Sequence, residues 1–232
     1  MREINPLFVA LDTPFLARAL ELARAVGPHV GGLKVGLEFL TACGPEGLRR
    51  MVELGIPVFA DVKFHDIPNT VAGASRAIGA EGIAYFNVHA SGGAAMMHAA
   101  RKAVADVNPR PKILGVTILT SLADEDLAAL GLGGTARERV LRLASLAQRS
   151  GLDGVVCSPE EIEMVRETCG EDFLIVTPGV RPEGAALADQ RRVRTPREAL
   201  RSGADFIVIG RPITAAADPA QAARKIVVEL EA

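Results

Sequence analysis

The chain has 232 residues, of which 49% are hydrophobic and 23% are charged, and these proportions argue against a disordered or coiled-coil protein. The formal net charge of −2 provides no broad positive field, so we do not expect a nucleic-acid partner. The three cysteines, Cys43, Cys157 and Cys169, are odd in number and contain no CxxC spacing, which argues against a disulfide framework or a zinc site.

The chain begins with MREINPLFVALD, where a short apolar run ends in an acid and the features of a signal peptide are missing. No apolar run reaches the length of a membrane span. Together with the cysteine usage, these observations predict a protein of the reducing cytoplasm with no membrane partner.

Short β-branched runs then alternate with segments of helical spacing that are rich in Ala, Leu, Arg and Glu, and Gly or Pro usually marks the change. The predicted strands, in chain order, are 7–12, 32–36, 57–63, 85–90, 113–119, 154–158, 173–178 and 206–210. Wholly apolar runs such as 206–209 indicate strands buried on both faces, as in a parallel sheet covered by helices. Eight βα units predict an α/β fold, a (β/α)₈ TIM barrel that forms a single domain over residues 1–232.

A doubly wound open sheet is the competing architecture, but the number of strands and the chain length suit the barrel better. No Pro- or Ser-rich linker divides the chain. The longest irregular stretch, about Val180 to Thr195, contains Pro182, Gly184 and several charges. We expect this stretch to be a mobile loop over a site.

Polar residues stand at or near the ends of several predicted strands, and in a barrel of this kind those ends converge on the active-site face. In chain order these residues are Asp12, Lys34, Asp61, Lys63, His89, Thr120, Gly210 and Arg211. The pattern therefore predicts a polar site at the carboxyl ends of the strands.

The third predicted strand places an acid, Asp61, two residues before a base, Lys63, so both should lie on one face. A charged pair in an apolar strand is costly to desolvate without further partners, and Lys34 and Asp66 are available to complete an alternating array. The chain has only five lysines, yet two of them fall within strands. A plain buried ion-pair network at one end of the barrel remains the alternative.

The ten residues from Asp61 to Thr70, DVKFHDIPNT, resemble the DxKxxD signature of bacterial-type orotidine 5'-monophosphate decarboxylases. The resemblance continues in family order through the segments 10–12, 33–36, 87–90, 119–121, 177–182 and 208–214. Related barrels that act on sugar phosphates share DxKxxD, but the segments that contain Arg181 and Gly210-Arg211 make the resemblance specific.

This resemblance implies an enzyme without cofactor or metal that removes carbon dioxide from orotidine 5'-monophosphate and leaves uridine 5'-monophosphate. Lys63 would stabilise carbanion character at C6 and supply the proton that replaces the carboxylate. Asp61 and Asp66 would favour the charged form of Lys63, and Lys34 would keep the carboxylates ionised. The resemblance also implies a homodimer in which Asp66 and Thr70 are contributed across the interface.

The same resemblance assigns the substrate contacts. Gly210 and Arg211 would bind the phosphate, and Arg181 and Gln190 belong to the loop that would close over it. The ribose hydroxyls would meet Asp12, Lys34 and the partner's Thr70, while Thr120-Ser121 would meet the pyrimidine edge. The complete predicted substrate-binding set is Asp12, Lys34, Asp61, Lys63, Asp66, Ile67, Thr70, Thr120, Arg181, Gln190, Gly210 and Arg211.

Two other functions remain open. A barrel that acts on a sugar phosphate with magnesium could in principle use Asp61, Asp66 and His89, although the interposed Lys63 would repel the metal. A nucleotide-binding barrel that has lost catalysis would not need the charged residues Asp61, Lys63 and Asp66. Their presence therefore argues against this alternative. We expect neither the histidines nor the cysteines to act in catalysis.

Overall fold

Eight parallel strands close into a barrel in the computed structural model, which describes residues 5–181 and 194–231. The strands are β1 (Leu7–Ala10), β2 (Gly32–Val35), β3 (Val58–Phe64), β4 (Tyr85–His89), β5 (Lys112–Val116), β6 (Gly154–Val156), β7 (Leu174–Thr177) and β8 (Phe206–Ile209). Each strand pairs with the next along the chain, and β8 closes the barrel on β1, with Leu7 opposite Ile207. The predicted (β/α)₈ barrel is therefore confirmed and the open sheet is wrong.

Helices follow the strands and cover the outside of the barrel. They are α1 (Leu16–Val26), α2 (Leu37–Val52), α3 (Pro68–Gly79), α4 (Gly93–Ala103), α5 (Asp124–Ala129), α6 (Ala136–Arg149), α7 (Ile162–Cys169), α8 (Pro196–Arg201), α9 (Arg211–Thr214) and α10 (Pro219–Glu231). Within residues 5–181 and 194–231, no helix combines the length and apolar composition that crossing a membrane requires. All three cysteines are unpaired, and Cys157 and Cys169 are buried.

Aromatic rings fill the barrel near the amino ends of the strands. Phe8 packs edge-on against Tyr85 and Phe206, with ring centroids 5.6 and 5.1 Å apart, and Phe59 contacts Tyr85 at 6.4 Å. Edge-to-face contacts of this kind are favoured by the charge distribution of the rings. This end of the barrel is therefore occupied by packed side chains, and the polar positions lie at the other end.

The boundaries of the predicted strands differ from the structure chiefly at β5, which ends at Val116 instead of residue 119. Thr117 still follows the neighbouring strand, because its backbone N–H and its hydroxyl both donate to the carbonyl of Val156, at 3.2 and 2.9 Å. The residues beyond Thr117 turn away from the sheet. The polar segment 120–121 is thus carried by the loop after β5.

Most of the predicted mobile loop, residues 182–193, lies outside the described residues, as do Pro182 and Gly184. The two flanking ends meet, since the backbone N–H of Arg181 donates to the carbonyl of Arg194 at 3.1 Å. The chain then enters α8 through a capping box, in which Thr195 and Glu198 exchange side-chain to backbone hydrogen bonds. The two ends of this stretch are therefore joined to each other, and the second leads directly into α8.

Candidate active site

β3 loses regular pairing at the point where it carries its charged residues. Ala60 is paired with Phe86 of β4 and Phe64 with Val88, so the three residues 61–63 stand opposite Asn87 alone. Lys63 has a φ of 50°, and among the described non-glycine residues no other has a positive φ. Such a backbone costs an L-residue about 1–3 kcal/mol and persists only where its surroundings hold it. The bulge is therefore a maintained feature of the site.

The carboxylate of Asp61 lies at the centre of a chain of charged side chains. Lys63 Nζ is 2.5 Å from Oδ1 of Asp61, and Lys34 Nζ is 3.3 Å from Oδ2. Lys34 Nζ also lies 3.2 Å from Oδ1 of Asp12, at the end of the neighbouring strand. The structure thus brings together Asp12, Lys34, Asp61 and Lys63, in alternating sign, at the carboxyl ends of β1, β2 and β3.

Asp61 is held in its ionised form. Burial alone would raise the pKa of this carboxyl group, but the charges of Lys34 and Lys63 and the hydrogen bonds from Lys63 and Asn87 outweigh burial and lower the pKa below its usual value. Only 14% of the Asp61 side chain is exposed, so screening by solvent is weak. At neutral pH the array therefore carries a permanent negative charge between two lysines.

Asp66 stands apart from this array within a single chain. Its carboxylate accepts a hydrogen bond from the backbone N–H of Ile67 at 2.7 Å, and in the described part of the chain it forms no salt bridge. All six residues from His65 to Thr70 are exposed, and Ile67 is 67% exposed. Of the four charged residues predicted to form the array, a single chain therefore brings together Lys34, Asp61 and Lys63 and leaves Asp66 on the surface.

The residues predicted to bind phosphate lie at the end of β8 and after β7. Gly210 follows β8, and a Cβ added to it would lie 3.5 Å from the Cβ of Ala10, two residues before Asp12. Arg211 begins α9 and is exposed, whereas Arg181 is buried and its guanidinium donates to the carbonyl of Val180 at 3.3 Å. Gln190 lies outside the described residues.

Thr120 is partly buried in the loop after β5. Thr120 and Ser121 line a cavity of about 310 Å³ that also has Asp124, Glu125 and Glu160 in its wall. None of Asp12, Lys34, Asp61 and Lys63 lines this cavity, so the cavity itself does not connect Thr120 with the charged array.

Asn87 was not among the predicted site residues, and His89 was named only as a strand-end residue and an alternative magnesium ligand. Asn87 is 1% exposed and hydrogen-bonds to both Asp61 and Lys63. A buried amide between Phe86 and Val88 of β4, opposite the charged strand, is the signal that identifies it. The rings of His89 and His65 pack at a tilt of 36°, with centroids 5.3 Å apart. Burial lowers the pKa of His89, and the electrostatic effects of His65 and Lys63 lower it further. A neutral His89 adds no charge to the array.

The alternative magnesium ligands are not gathered into a site. Over residues 5–181 and 194–231, no group of three or more His, Cys, Asp or Glu side chains is arranged to hold a metal ion. Asp61 is instead enclosed by the two lysine ammonium groups and Asn87.

Comparisons with known proteins agree over nearly the whole chain. A family model described as "Orotidine 5'-phosphate decarboxylase / HUMPS family" matches residues 5–226. A protein of Moorella thermoacetica named orotidine 5'-phosphate decarboxylase is 54% identical over 237 residues, covering 100% of this chain and 94% of that protein. A protein of the same name from Halorhodospira halophila is 54% identical over 226 residues, covering 97% and 96%. The crystal structure of orotidine 5'-phosphate decarboxylase from Lactobacillus acidophilus superposes with a TM-score of 0.88 at 38% identity, covering 98% of this chain and 100% of that one.

Proposed function

Because the chain belongs to the orotidine 5'-phosphate decarboxylase / HUMPS family, we propose that the charged array at the ends of β1, β2 and β3 carries out the family's decarboxylation. The protein is a carboxy-lyase that converts orotidine 5'-monophosphate into uridine 5'-monophosphate, the last step of de novo pyrimidine nucleotide biosynthesis. The observation that carries the proposal is the pairing of Lys63 with Asp61 at 2.5 Å on the face where a barrel of this kind binds its substrate.

The reaction needs electrostatic stabilisation. When the bond from C6 to the carboxylate breaks and carbon dioxide leaves, the electron pair stays on C6 in the plane of the ring, where no conjugated carbonyl can delocalise it. We assign the ammonium of Lys63 to face C6, stabilise this charge and then give C6 a proton. The lysine amine recovers its proton from solvent, so neither a cofactor nor a metal is consumed or required.

Asp61 and Lys34 prepare the site before the substrate arrives. The lowered pKa of Asp61 means that this carboxylate is charged beside Lys63 across the neutral range. Lys34 lies between Asp61 and Asp12, at 3.3 and 3.2 Å, and so fixes the position of both carboxylates. Charges that are already oriented need no reorganisation during the reaction, which is the main advantage of an enzyme over water in this chemistry.

Asp66, which stands apart from the array in its own chain, is proposed to join the array of a second copy of the chain. In this proposal Asp66, Ile67 and Thr70 extend from one protomer of a homodimer into the partner's site. The exposure of all six residues 65–70, including a 67% exposed isoleucine, supports a surface that becomes covered on assembly. Each active site would then be complete only in the dimer.

The remaining contacts of the substrate are proposed at the other strand ends. Gly210 and Arg211 would bind the phosphate, with Arg181 and Gln190 closing over it, and Thr120 would meet the pyrimidine edge. Binding energy from the non-reacting phosphate would in this way help to assemble the reactive end of the site. We further propose that residues 1–232 form one catalytic domain, which acts in the cytoplasm.

Asp12 and Lys34 are proposed to hold the ribose hydroxyls, and Gly36 offers a mild way to disturb them. A Cβ at Gly36 would lie 3.1 Å from Oδ1 of Asp12 and 3.3 Å from Nζ of Lys34, so both groups would have to move slightly. The φ and ψ of Gly36, −100° and −171°, are open to any residue. We expect Gly36→Ala to raise KM about 3- to 10-fold, equivalent to weakening one hydrogen bond, while the melting temperature changes little.

The matched control is Gly133→Ala, because a Cβ at Gly133 meets no atom within 4 Å. Steady-state kinetics of both variants check the prediction. A Gly36→Ala enzyme with the KM of the control would argue against ribose contacts by Asp12 and Lys34.

The proposed chemistry is tested by following the absorbance of the orotate ring when the purified protein is mixed with orotidine 5'-monophosphate, with and without EDTA. We expect rapid loss of absorbance at the same rate in both samples. Loss that appears only after a divalent metal is added would favour the chemistry of the sugar-phosphate barrels. Tight nucleotide binding without any loss would indicate a non-catalytic barrel.

A further inference from the structure

A single buried amide joins the two charged residues of β3. The side-chain Nδ2 of Asn87 donates to Oδ1 of Asp61 at 2.7 Å, and its Oδ1 accepts the backbone N–H of Lys63, also at 2.7 Å. Asn87 is 1% exposed and lies in β4, directly opposite the bulge. We infer that Asn87 is a positioning residue for decarboxylation, which sets the placement of the Asp61 carboxylate and the Lys63 backbone through one amide group.

The bulge explains why such a group is needed. Three residues of β3 stand opposite one residue of β4, so the backbone N–H of Lys63 has no regular ladder partner. The side-chain carbonyl of Asn87 takes the place of that partner. Without it, the backbone donor of Lys63 would be unsatisfied at the residue that has a left-handed φ of 50°, and the bulge would lose a contact that keeps Lys63 in this conformation.

The amide of Asn87 is neutral, which suits its contact with the Asp61 carboxylate. Oδ1 of Asp61 already receives Lys63 Nζ at 2.5 Å, and Asn87 adds a neutral donor to the same oxygen. A neutral donor fixes the direction of the carboxylate without competing with the lysines for its charge. A carboxylate in the place of the amide would instead put two negative charges about 2.7 Å apart, the distance of the present hydrogen bond.

The inference rests on the proposed roles of Asp61 and Lys63, and two substitutions separate it from a purely structural role. Asn87→Ala removes both hydrogen bonds, and we expect kcat to fall about 100-fold or more, as for loss of one preorganised donor, with KM changed only a few-fold. Binding of uridine 5'-monophosphate, measured by calorimetry, should stay within a few-fold of wild type because the phosphate contacts are untouched. Thermal unfolding shows whether each variant is folded.

Asn87→Asp gives the more selective readout, because the introduced carboxyl group keeps the volume of the amide and keeps an acceptor for the Lys63 N–H. Two facing carboxylates share one proton, so the apparent pKa for releasing it lies above the ordinary value for aspartate. Below that pKa the protonated carboxyl group donates to Asp61 as the amide does, and above it the donor is lost. We therefore expect kcat of this variant to be low at neutral pH and to rise as the pH falls, whereas wild-type kcat stays level because the pKa of Asp61 is lowered.

Asn108→Asp, the same chemical change at an exposed position outside the array, serves as the control and should keep the wild-type profile. Lys63→Ala, assayed in parallel, tests the proposed function itself: an active Lys63→Ala enzyme would refute the roles on which the inference rests. With Lys63→Ala inactive, a folded Asn87→Asp enzyme whose pH profile runs parallel to the wild type would overturn the positioning role. A folded Asn87→Ala enzyme with kcat within about 3-fold of wild type would also overturn the positioning role, because a 3-fold change corresponds to less than half the activation free energy of a tenfold change.

Discussion

Replacing Lys63 by alanine should lower kcat by about 10⁴-fold or more, because one side chain is assigned both the electrostatic stabilisation of the C6 electron pair and its protonation. The geometry behind this expectation is the 2.5 Å contact of Nζ with a carboxylate whose pKa is lowered. Binding of the product nucleotide should persist, since the proposed phosphate contacts lie at the ends of β7 and β8. The two measurements are the loss of orotate absorbance and the calorimetric binding of uridine 5'-monophosphate.

Lys102→Ala provides the matched control, because Lys102 is an exposed lysine of α4 outside the array. Lys63→Arg should also be poorly active, since the planar guanidinium is a far weaker proton donor than an ammonium group and has a different shape. Turnover by Lys63→Ala within a few-fold of the control would remove Lys63 from the role of proton donor.

Mixing two inactive variants should restore activity if the active sites are shared between protomers. Asp66→Asn inactivates the partner's site, and Lys63→Ala inactivates the site of its own chain. A heterodimer of the two variants therefore contains one intact site out of two. With random exchange of subunits, half of the dimers are heterodimers, and the mixture should recover about a quarter of the wild-type activity. The expectation follows from the exposure of Asp66 and its lack of a salt bridge in the described part of its own chain.

The negative control is a mixture of Lys63→Ala with Asp61→Asn. Asp61 and Lys63 belong to the same site in the same chain, so no arrangement of these two variants contains an intact site. Heterodimers are verified by two different affinity tags. Equal activities in the two mixtures, in verified heterodimers, would place Asp66 in the site of its own chain, and full activity of Asp66→Asn alone would place it outside any site.

The sequence was sufficient for the barrel because each strand depends on local apolar runs that are buried on both faces. Phe206 to Ile209, for example, are all buried in β8, as a parallel sheet covered by helices requires. The proximity of Asp61 and Lys63 was also predictable, since they are two residues apart in the same strand. Lys34 could be included in the predicted charged array because it is a rare lysine within an apolar strand.

The geometry of β3 could not be predicted in the same way. Regular alternation along a strand predicts Asp61 and Lys63 on one face, whereas the structure brings them together within a bulge with a left-handed Lys63. A bulge depends on the register between two strands, and its partner Asn87 lies 24 residues beyond Lys63 in the sequence. Periodicity within one strand contains no information on that register.

A crystal structure of the complex with uridine 5'-monophosphate would test most directly whether Lys63 faces the reacting carbon. We predict that Lys63 Nζ lies about 3 Å from C6, within reach for proton transfer, and that Asp66 of the second protomer completes the array beside it. A complex in which Lys63 Nζ remains on Asp61 and points away from C6, with another donor next to that carbon, would contradict the account.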